Sequence, residues 1–172
     1  AVRRRWATGL PLSRTASFQG FLARGGTGQG LDRAKAWAEN PTGWLVLVGP
    51  PGSGKTHLAI ASAETILARG QAVRFAQVAD LLDSWRRSYD EGMDPLELMQ
   101  AWDRIPVVLD DVGAERPTAW VLEKLPQFLD RRYRNESPTL LTTNLGEAQI
   151  EATLGQRVAD RMFDTHTGLV AV

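Results

Sequence analysis

The chain has 172 residues, 43% of them hydrophobic, which is the composition of a single domain that can bury its own core. Its 20 basic and 20 acidic residues cancel, so net charge gives no reason to expect tight non-specific binding to nucleic acid or to an anionic membrane. Without cysteine and with two histidines, the chain has no disulfides and too few ligands for zinc.

Apolar runs such as residues 44–48 are far shorter than the roughly 20 residues of a membrane span. The first residues also lack a signal-peptide pattern, so we expect a cytoplasmic location and no membrane partner. Residues 1–17 contain three consecutive arginines and few periodic apolar positions, which predicts a flexible lead-in. Glycines at 25–30 could hold phosphate, but no strand-like run precedes them, and a loop is the better interpretation.

Strands and helices are expected to alternate along the rest of the chain, because apolar runs alternate with segments of helical spacing. The expected strands cover residues 44–48, 73–76, 105–109, 139–142 and 169–172. The expected helices cover residues 31–39, 55–69, 78–89, 95–102, 118–134, 147–154 and 156–163. Strands rich in valine and leucine, separated by helices, predict an α/β fold: a five-stranded parallel sheet with helices on both faces.

A glycine-rich loop lies between the first strand and the next helix. It consists of Gly49, Pro50, Pro51, Gly52, Ser53, Gly54, Lys55 and Thr56. In this position backbone N–H groups and the positive end of the helix dipole converge on one anion, and the glycines let the backbone approach it closely. Lys55 should reach the β- and γ-phosphates, and the Thr56 hydroxyl should bind magnesium. The loop therefore predicts binding of ATP with Mg²⁺.

Two aspartates follow the apolar run 107–109 directly. Because paired carboxylates are costly inside a sheet, they should stand at its open end, where α/β sheets bind ligands. We expect Asp110 to join the magnesium shell and Asp111 to orient or deprotonate the attacking water. Glu115 competes for the second role. The alternative is that these acids belong to a solvated loop.

A polar amide follows the next strand, at Asn144. At the end of a strand beside the carboxylates, an amide can bind the γ-phosphate or the attacking water. By itself Asn144 could equally be a turn residue before Gly146. Together with the loop and the two acids, it is interpreted as a nucleotide sensor.

Four blocks of this sequence resemble one known family in order and spacing. They are residues 44–59, which include Lys55-Thr56-His57-Leu58-Ala59; residues 109–115, Leu-Asp-Asp-Val-Gly-Ala-Glu; residues 138–145; and residues 154–162, Leu-Gly-Gln-Arg-Val-Ala-Asp-Arg-Met. They resemble the AAA+ ATPase domain of DnaC/DnaI-type replicative helicase loaders, over roughly residues 17–165. The close relatives, IstB-like transposition helper ATPases, are the alternative that is hardest to separate.

This resemblance implies an ATP-driven homo-oligomer that binds single-stranded DNA and a replicative helicase. It places residues 18–172 in one AAA+ domain, from which the amino-terminal helicase-binding domain is absent. The segment 17–21 resembles the family's entry segment near the adenine, so Phe18 and His57 join the expected nucleotide contacts. Asp111 departs from the glutamate usual in AAA+ ATPases, and we expect slow hydrolysis.

Arg157 and Arg161 match the family's arginine motif, from which one subunit reaches the γ-phosphate of its neighbour. Their spacing of four residues puts both on one helix face. The sequence does not decide between them, although Arg157 is preferred. The alternative is that both pair with Asp160 or Asp164 on the surface.

The segment 84–89 interleaves aromatic and cationic residues in the region where the loaders bind DNA. Stacking combined with phosphate neutralisation suits single-strand binding without sequence preference. Arg86, Arg87 and Tyr89 are the candidates, whereas Trp85 fits the apolar spacing of its helix and is expected in the core.

A nucleotide kinase and an ATP-binding adaptor are alternative functions of other classes. A nucleotide kinase would use an arginine cluster such as Arg131, Arg132 and Arg134, but these residues end a long helix and no lid-like insertion accompanies them. An adaptor that binds ATP without hydrolysing it is left open by Asp111.

Overall fold

The computed structural model describes residues 8–11, 15–23, 25–114, 118–164 and 168–172. Within them the helices are α1 (Gly28–Glu39), α2 (Lys55–Ala68), α3 (Val78–Asp90), α4 (Pro95–Gln100), α5 (Ala119–Arg134), α6 (Glu147–Leu154) and α7 (Gln156–Met162). The strands are β1 (Trp44–Val48), β2 (Arg74–Gln77), β3 (Val107–Asp110), β4 (Thr139–Thr143) and β5 (Gly168–Ala171). No helix in these ranges is both long and apolar enough to cross a membrane.

All five strands lie in one parallel sheet, in the order β2-β3-β4-β1-β5. Val46 of β1 packs into a core with α3, α5, α6 and α7, whereas Leu45 and Leu47 pack into a second core with α1 and α2. Both faces of the sheet are therefore covered, as the unbroken apolar strands predict. The sheet order puts the ends of β1, β3 and β4 side by side at one edge.

The predicted fold class and all five strands are confirmed: β1 has the predicted bounds, and the boundaries of the other strands differ by at most two residues. α1 begins at Gly28, so part of the glycine cluster 25–30 is helical. β3 begins at Val107 because Pro106, which precedes it, has no N–H to donate to a strand ladder. Thr118 caps α5, its hydroxyl accepting the Val121 N–H at 3.3 Å.

The expected lead-in, residues 1–17, contacts the domain at residues 8–10. The Phe75 N–H donates to the Thr8 carbonyl at 2.7 Å, and Leu10 is buried in the core beside α1 and α2. These contacts lie along β2, which is an edge strand of the sheet. Residues 8–10 of the expected flexible lead-in are therefore packed on the domain. Arg3, Arg4 and Arg5 lie outside the described residues.

Arg132, near the end of α5, is fully buried and joins three segments at the amino edge of the sheet. Its guanidinium donates to the Thr139 hydroxyl and to the carbonyls of Trp102, Ile105 and Pro138, at 2.7–3.0 Å. Burial lowers the pKa of Arg132 to about 10, against the opposing charge of Asp103. These hydrogen bonds compensate the cost of burying a charge and hold the start of β4 in place.

Candidate functional site

The glycine-rich loop connects β1 to α2 at the carboxyl edge of the sheet. Gly52 and Gly54 have φ angles of +81° and +103°, which L side chains rarely adopt. A Cβ on Gly49 would lie 2.0 Å from the Val172 carbonyl oxygen, and one on Gly54 would lie 2.5 Å from the Phe21 ring. The glycines at 49 and 54 therefore serve close packing around the loop as well as its turn.

Lys55, the first residue of α2, is buried against this loop. Its Nζ donates to the carbonyls of Gly49 and Pro50, at 2.7 and 2.8 Å, and to the Ser53 hydroxyl at 3.2 Å. Burial lowers the pKa of the Lys55 ammonium, while the charges of Asp111 and then Asp110 oppose the shift. A cation enclosed by its own loop in this way is placed to meet an anion that the loop binds.

Asp110 ends β3 and is 1% exposed. Its Oδ1 accepts hydrogen bonds from the hydroxyls of Thr56, at 3.0 Å, and Thr142, at 2.7 Å. Because a buried carboxylate is costly without partners, these hydroxyls account for its position. Thr56 and Asp110, the two expected magnesium ligands, are thus in direct contact.

Asp111 follows β3 with a φ of +64°, a left-handed conformation that is uncommon outside glycine. Its N–H donates to the Thr142 hydroxyl, and its Oδ1 accepts from Asn144 Nδ2, both at 2.8 Å. The structure therefore brings Asn144 against Asp111, so the expected sensor and the expected catalytic acid form one hydrogen-bonded pair. Glu115, the competing acid, lies outside the described residues.

These groups line one cleft of about 360 Å³ at the carboxyl edge of the sheet. Its lining includes Pro51, Gly52, Gly54, Lys55, Thr56, His57, Gln77, Asp110, Asp111, Thr142 and Asn144. Sequence reasoning missed Gln77 and Thr142. Both residues lie at the ends of strands, Gln77 on β2 and Thr142 on β4, and both strands neighbour β3, which carries the acids. Because parallel strands end at the same edge of a sheet, these positions could have predicted their place in the cleft.

The donor set of this cleft suits Mg²⁺. Mg²⁺ takes oxygen ligands, keeps several waters and is usually held by one or two protein groups together with phosphates. The Thr56 hydroxyl and the Asp110 carboxylate supply such oxygens. No group of three or more His, Cys, Asp or Glu side chains placed to hold a metal occurs in the part of the chain that the structure describes.

A second cleft, of about 280 Å³, adjoins the other side of the loop. Phe21 and His57 line it with their ring centroids 5.5 Å apart, and His57 Nε2 lies 2.8 Å from the Ser17 carbonyl oxygen. Phe18, the expected nucleotide contact, packs on the core beside α1 and α2 instead and lines neither cleft. The entry segment thus presents Phe21 to the loop, since its turn directs the two rings to different surroundings.

Arg157 and Arg161 lie on α7, as the four-residue spacing predicts. Both pair with Asp130 of α5: Arg157 Nε is 3.6 Å from Asp130 Oδ1, and Arg161 donates to the same carboxylate. The Arg157 side chain is 76% exposed, whereas that of Arg161 is 15% exposed. Neither lines either cleft beside the loop.

Arg161 is also held by an aromatic ring. Its guanidinium lies 4.9 Å from the centre of the Tyr133 ring, and burial lowers its pKa. The two arginines of the motif are therefore unequal, because one packs on α5 and the other extends from the surface.

The proposed DNA-binding side chains occupy the exposed face of α3. Arg87 and Tyr89 are exposed, and Arg86 is exposed with its guanidinium 5.7 Å from the centre of the Trp120 ring. Trp85 is 3% exposed and packs edge-on against Phe128, so its assignment to the core is confirmed.

The arginines at the end of α5 do not form a substrate-binding cluster. Arg131 pairs with Asp103, Arg132 is buried, and Arg134 pairs with Asp130 at 3.0 Å. Each is committed to a structural partner, which removes the main support for a nucleotide kinase.

Known proteins of similar sequence and structure agree with this geometry. Residues 32–168 match the profile of the family described as IstB-like ATP binding protein. The uncharacterized protein YdaV of Escherichia coli K12 is 33% identical over 157 residues, which are 88% of this chain and 63% of that protein. The replicative helicase loader DnaC of the same organism is 28% identical over 158 residues, 88% of this chain and 64% of that protein.

A solved structure of the DnaC helicase loader matches with a TM-score of 0.80 and 26% sequence identity, covering 91% of this chain and 96% of that one. The shared architecture is that of AAA+ P-loop domains. The chain spans 63–64% of the length of the two curated relatives. The family profile covers most of the chain, and the sequence motifs of the chain converge on one cleft. The protein therefore belongs to the family of IstB-like ATP-binding proteins.

Proposed function

We propose that this domain hydrolyses ATP in a homo-oligomer that helps to place a replicative helicase on single-stranded DNA. The observation that carries the proposal is the convergence, in one cleft beside the glycine-rich loop, of Lys55, the Thr56–Asp110 contact and the Asp111–Asn144 pair. The similarity to the replicative helicase loader DnaC supports the choice of partner.

In this proposal the loop binds the phosphates of ATP through its backbone N–H groups. The Lys55 ammonium exchanges the loop carbonyls for the β- and γ-phosphate oxygens, which repays the cost of its burial. The Thr56 hydroxyl and the Asp110 carboxylate would hold Mg²⁺, which neutralises charge on the phosphates when it is bound. Phe21 and His57 form the wall of the adjoining cleft, where the base would lie.

Asp111 and Asn144 are proposed to act together on the attacking water. Asn144 Nδ2 donates to Asp111 Oδ1 at 2.8 Å. In this proposal the Asn144 amide orients the Asp111 carboxylate towards the attacking water, which the amide also contacts. The carboxylate orients this water or accepts its proton as the water attacks the γ-phosphorus. An aspartate reaches less far than a glutamate by one methylene, which fits a slow switch.

The hydrolysis proposal is tested by nucleotide binding and phosphate release measured on the same variants. Lys55→Ala should lose binding, because it removes the cation that faces the phosphates. Asp111→Asn should keep binding while hydrolysis falls by about 10²-fold or more, the usual contribution of a general base. Asp32→Asn, an exposed acid on α1, is the matched control and should leave both unchanged.

Two results would contradict these assignments. If Lys55→Ala retained ATP binding, the assignment of the ATP site would be wrong. If Asp111→Asn hydrolysed ATP at an unchanged rate, the assignment of Asp111 as the catalytic acid would be wrong. Glu115→Gln, measured alongside, shows whether the competing acid takes the second role. A wild-type protein that binds ATP but releases no phosphate, alone or assembled, would leave the adaptor function instead.

We further propose that α7 supplies an arginine to the nucleotide of a neighbouring subunit. Arg157 is the candidate because its side chain is 76% exposed and its contact with Asp130, at 3.6 Å, is too long for a good hydrogen bond. Arg161 is committed to Asp130 and the Tyr133 ring, so we assign it to holding α7 on α5.

Mixing of variant subunits tests this transfer. Arg157→Ala alone should hydrolyse ATP no faster when assembled than as a single subunit. Adding Asp111→Asn subunits, which bind ATP and retain Arg157, should restore hydrolysis at the Arg157→Ala sites. Arg134→Ala is the matched control, since Arg134 is similarly exposed and pairs with the same Asp130. If Arg161→Ala, checked for folding, shows the complementation and Arg157→Ala does not, the assignment is reversed.

The exposed face of α3 is proposed to contact single-stranded DNA through Arg86, Arg87 and Tyr89. Tyr89, 56% exposed, offers a ring on which a base can stack, and the arginines offer charge for phosphates. Trp120 holds the Arg86 guanidinium against α5, which orders one of these cations before binding.

DNA binding should respond differently to the two kinds of side chain. Tyr89→Ala should cost about 1–3 kcal/mol of binding free energy with little change in salt dependence. Arg87→Ala should reduce the slope of log K against log salt by about 0.7, the value for one phosphate contact on a single strand. Arg104→Ala, an exposed arginine that precedes β3 and is not on α3, should change neither. Equal effects of all three variants on fluorescence anisotropy would contradict a site on α3.

The transposition helper ATPase stays the alternative function, because the matching family profile is described as IstB-like ATP binding protein. We expect the full-length protein to bind the purified replicative helicase of its own organism in the presence of ATP, and not a transposase. Size-exclusion chromatography of each mixture checks this, with Lys55→Ala as the nucleotide-free control. Binding to the transposase and not to the helicase would contradict the helicase-loader function and indicate a transposition helper. The assignment of the ATP site would be unaffected.

A further inference from the structure

Thr142, to which the sequence analysis assigned no role, contacts both acids of the cleft. Its side chain is buried on β4, next to β3 in the sheet. The hydroxyl donates to Asp110 Oδ1 at 2.7 Å and accepts the Asp111 N–H at 2.8 Å. One hydroxyl therefore joins the expected magnesium ligand to the expected catalytic acid.

The direction of these two hydrogen bonds is fixed by their chemistry. A backbone N–H can only donate, so the Thr142 oxygen must accept from Asp111. A hydroxyl has a single proton, which Thr142 donates to Asp110 Oδ1. Serine could make the same pair of bonds, whereas valine, which has the same shape as threonine, could make neither.

The backbone of Thr142 extends this contact to a third residue. The Val112 N–H donates to the Thr142 carbonyl at 2.8 Å. Three consecutive residues at the end of β3, which are Asp110, Asp111 and Val112, are thus held by one residue of β4. The end of β3 takes its shape from the end of β4.

This support matters because Asp111 has an unfavourable backbone conformation. Among the described non-glycine residues, positive φ angles occur at Asp111 and Glu136. Such a conformation is unfavourable and persists where the surrounding structure holds it. The Thr142 hydroxyl on the N–H side and Asn144 on the carboxylate side supply that hold.

We propose that Thr142 is a positioning residue that sets the magnesium ligand Asp110 and the catalytic acid Asp111 with one hydroxyl. The proposal rests on the proposed ATPase function. Through Asp110 it controls the affinity for Mg²⁺, and through the Asp111 N–H it controls where the acid's carboxylate lies. Loss of the hydroxyl thus affects metal binding and the chemical step together, and a purely structural residue would affect stability alone.

The test is a Mg²⁺ titration of binding of a fluorescent ATP analogue by wild type, Thr142→Val and Thr142→Ser. Thr142→Val should raise the Mg²⁺ midpoint by about tenfold or more, the usual cost of losing a group that orients a metal ligand. It should also lower kcat at saturating Mg²⁺. Thr142→Ser should restore both values towards wild type. In an Asp110→Ala background Thr142→Val should shift the midpoint no further, because its partner is gone.

Thr143→Val is the matched control. Thr143 is also buried on β4, and its hydroxyl also makes two bonds, donating to the Val112 carbonyl and accepting the Leu145 N–H. It contacts neither acid, so its variant should lose stability in urea denaturation without a change in the Mg²⁺ midpoint. If Thr142→Val does not fold, Thr142→Cys, which keeps a weak donor of similar size, should give a smaller shift in the same direction.

The outcomes separate the positioning role from the ATPase function. A wild-type protein whose nucleotide binding ignores Mg²⁺ overturns both. A Mg²⁺-dependent wild type with an unchanged midpoint in the folded Thr142 variants overturns the positioning role alone. An equal shift in Thr143→Val also overturns it, since the effect would then be a general loosening of the strand end.

Discussion

The buried carboxylate of Asp110 is the constraint on which the rest of this site depends. A carboxyl group with 1% exposure needs hydrogen-bond partners, and Asp110 has them from α2, through Thr56, and from β4, through Thr142. Both donors are available because β3 lies next to β4 and parallel to it, and because β1 on the other side of β4 delivers the loop and α2. The hydrogen bonds of the Asp110 side chain thereby join β3, α2 and β4 at the carboxyl edge of the sheet.

The residues proposed to act on phosphate, metal and water converge in one cleft at the same edge of the sheet. The exposed Arg157 of α7 does not line this cleft. Asp130 shows how the fold separates the two arginines of α7, because it pairs closely with Arg161 and only loosely with Arg157. This arrangement is compatible with the proposed oligomer, in which Arg157 would reach the nucleotide of a neighbouring subunit.

Much of the site was predictable because its signals are local in the sequence. The glycine-rich loop, Asp110 and Asp111 each occupy the end of a strand that the apolar pattern identifies. The contact predicted for Phe18 stays a prediction, whereas Phe21, three residues further along the same segment, lines the cleft beside the loop and was not predicted. The pairing of Arg157 and Arg161 with Asp130 was not predicted, because Asp130 lies 27 and 31 positions away in the chain.

The sequence by itself determined the fold class, the phosphate-binding loop and the two acids, because each depends on residues adjacent in the chain and on the periodicity of burial. The tertiary structure alone decided that Asn144 contacts Asp111, that Thr142 joins the two acids and that Arg157 rather than Arg161 is exposed. The physical reason is that these contacts depend on strand order and helix packing, which bring together residues about 30 positions apart. Lys55, Asp110 and Asp111 could therefore be identified from the sequence, and the hydroxyl that positions the acids could not.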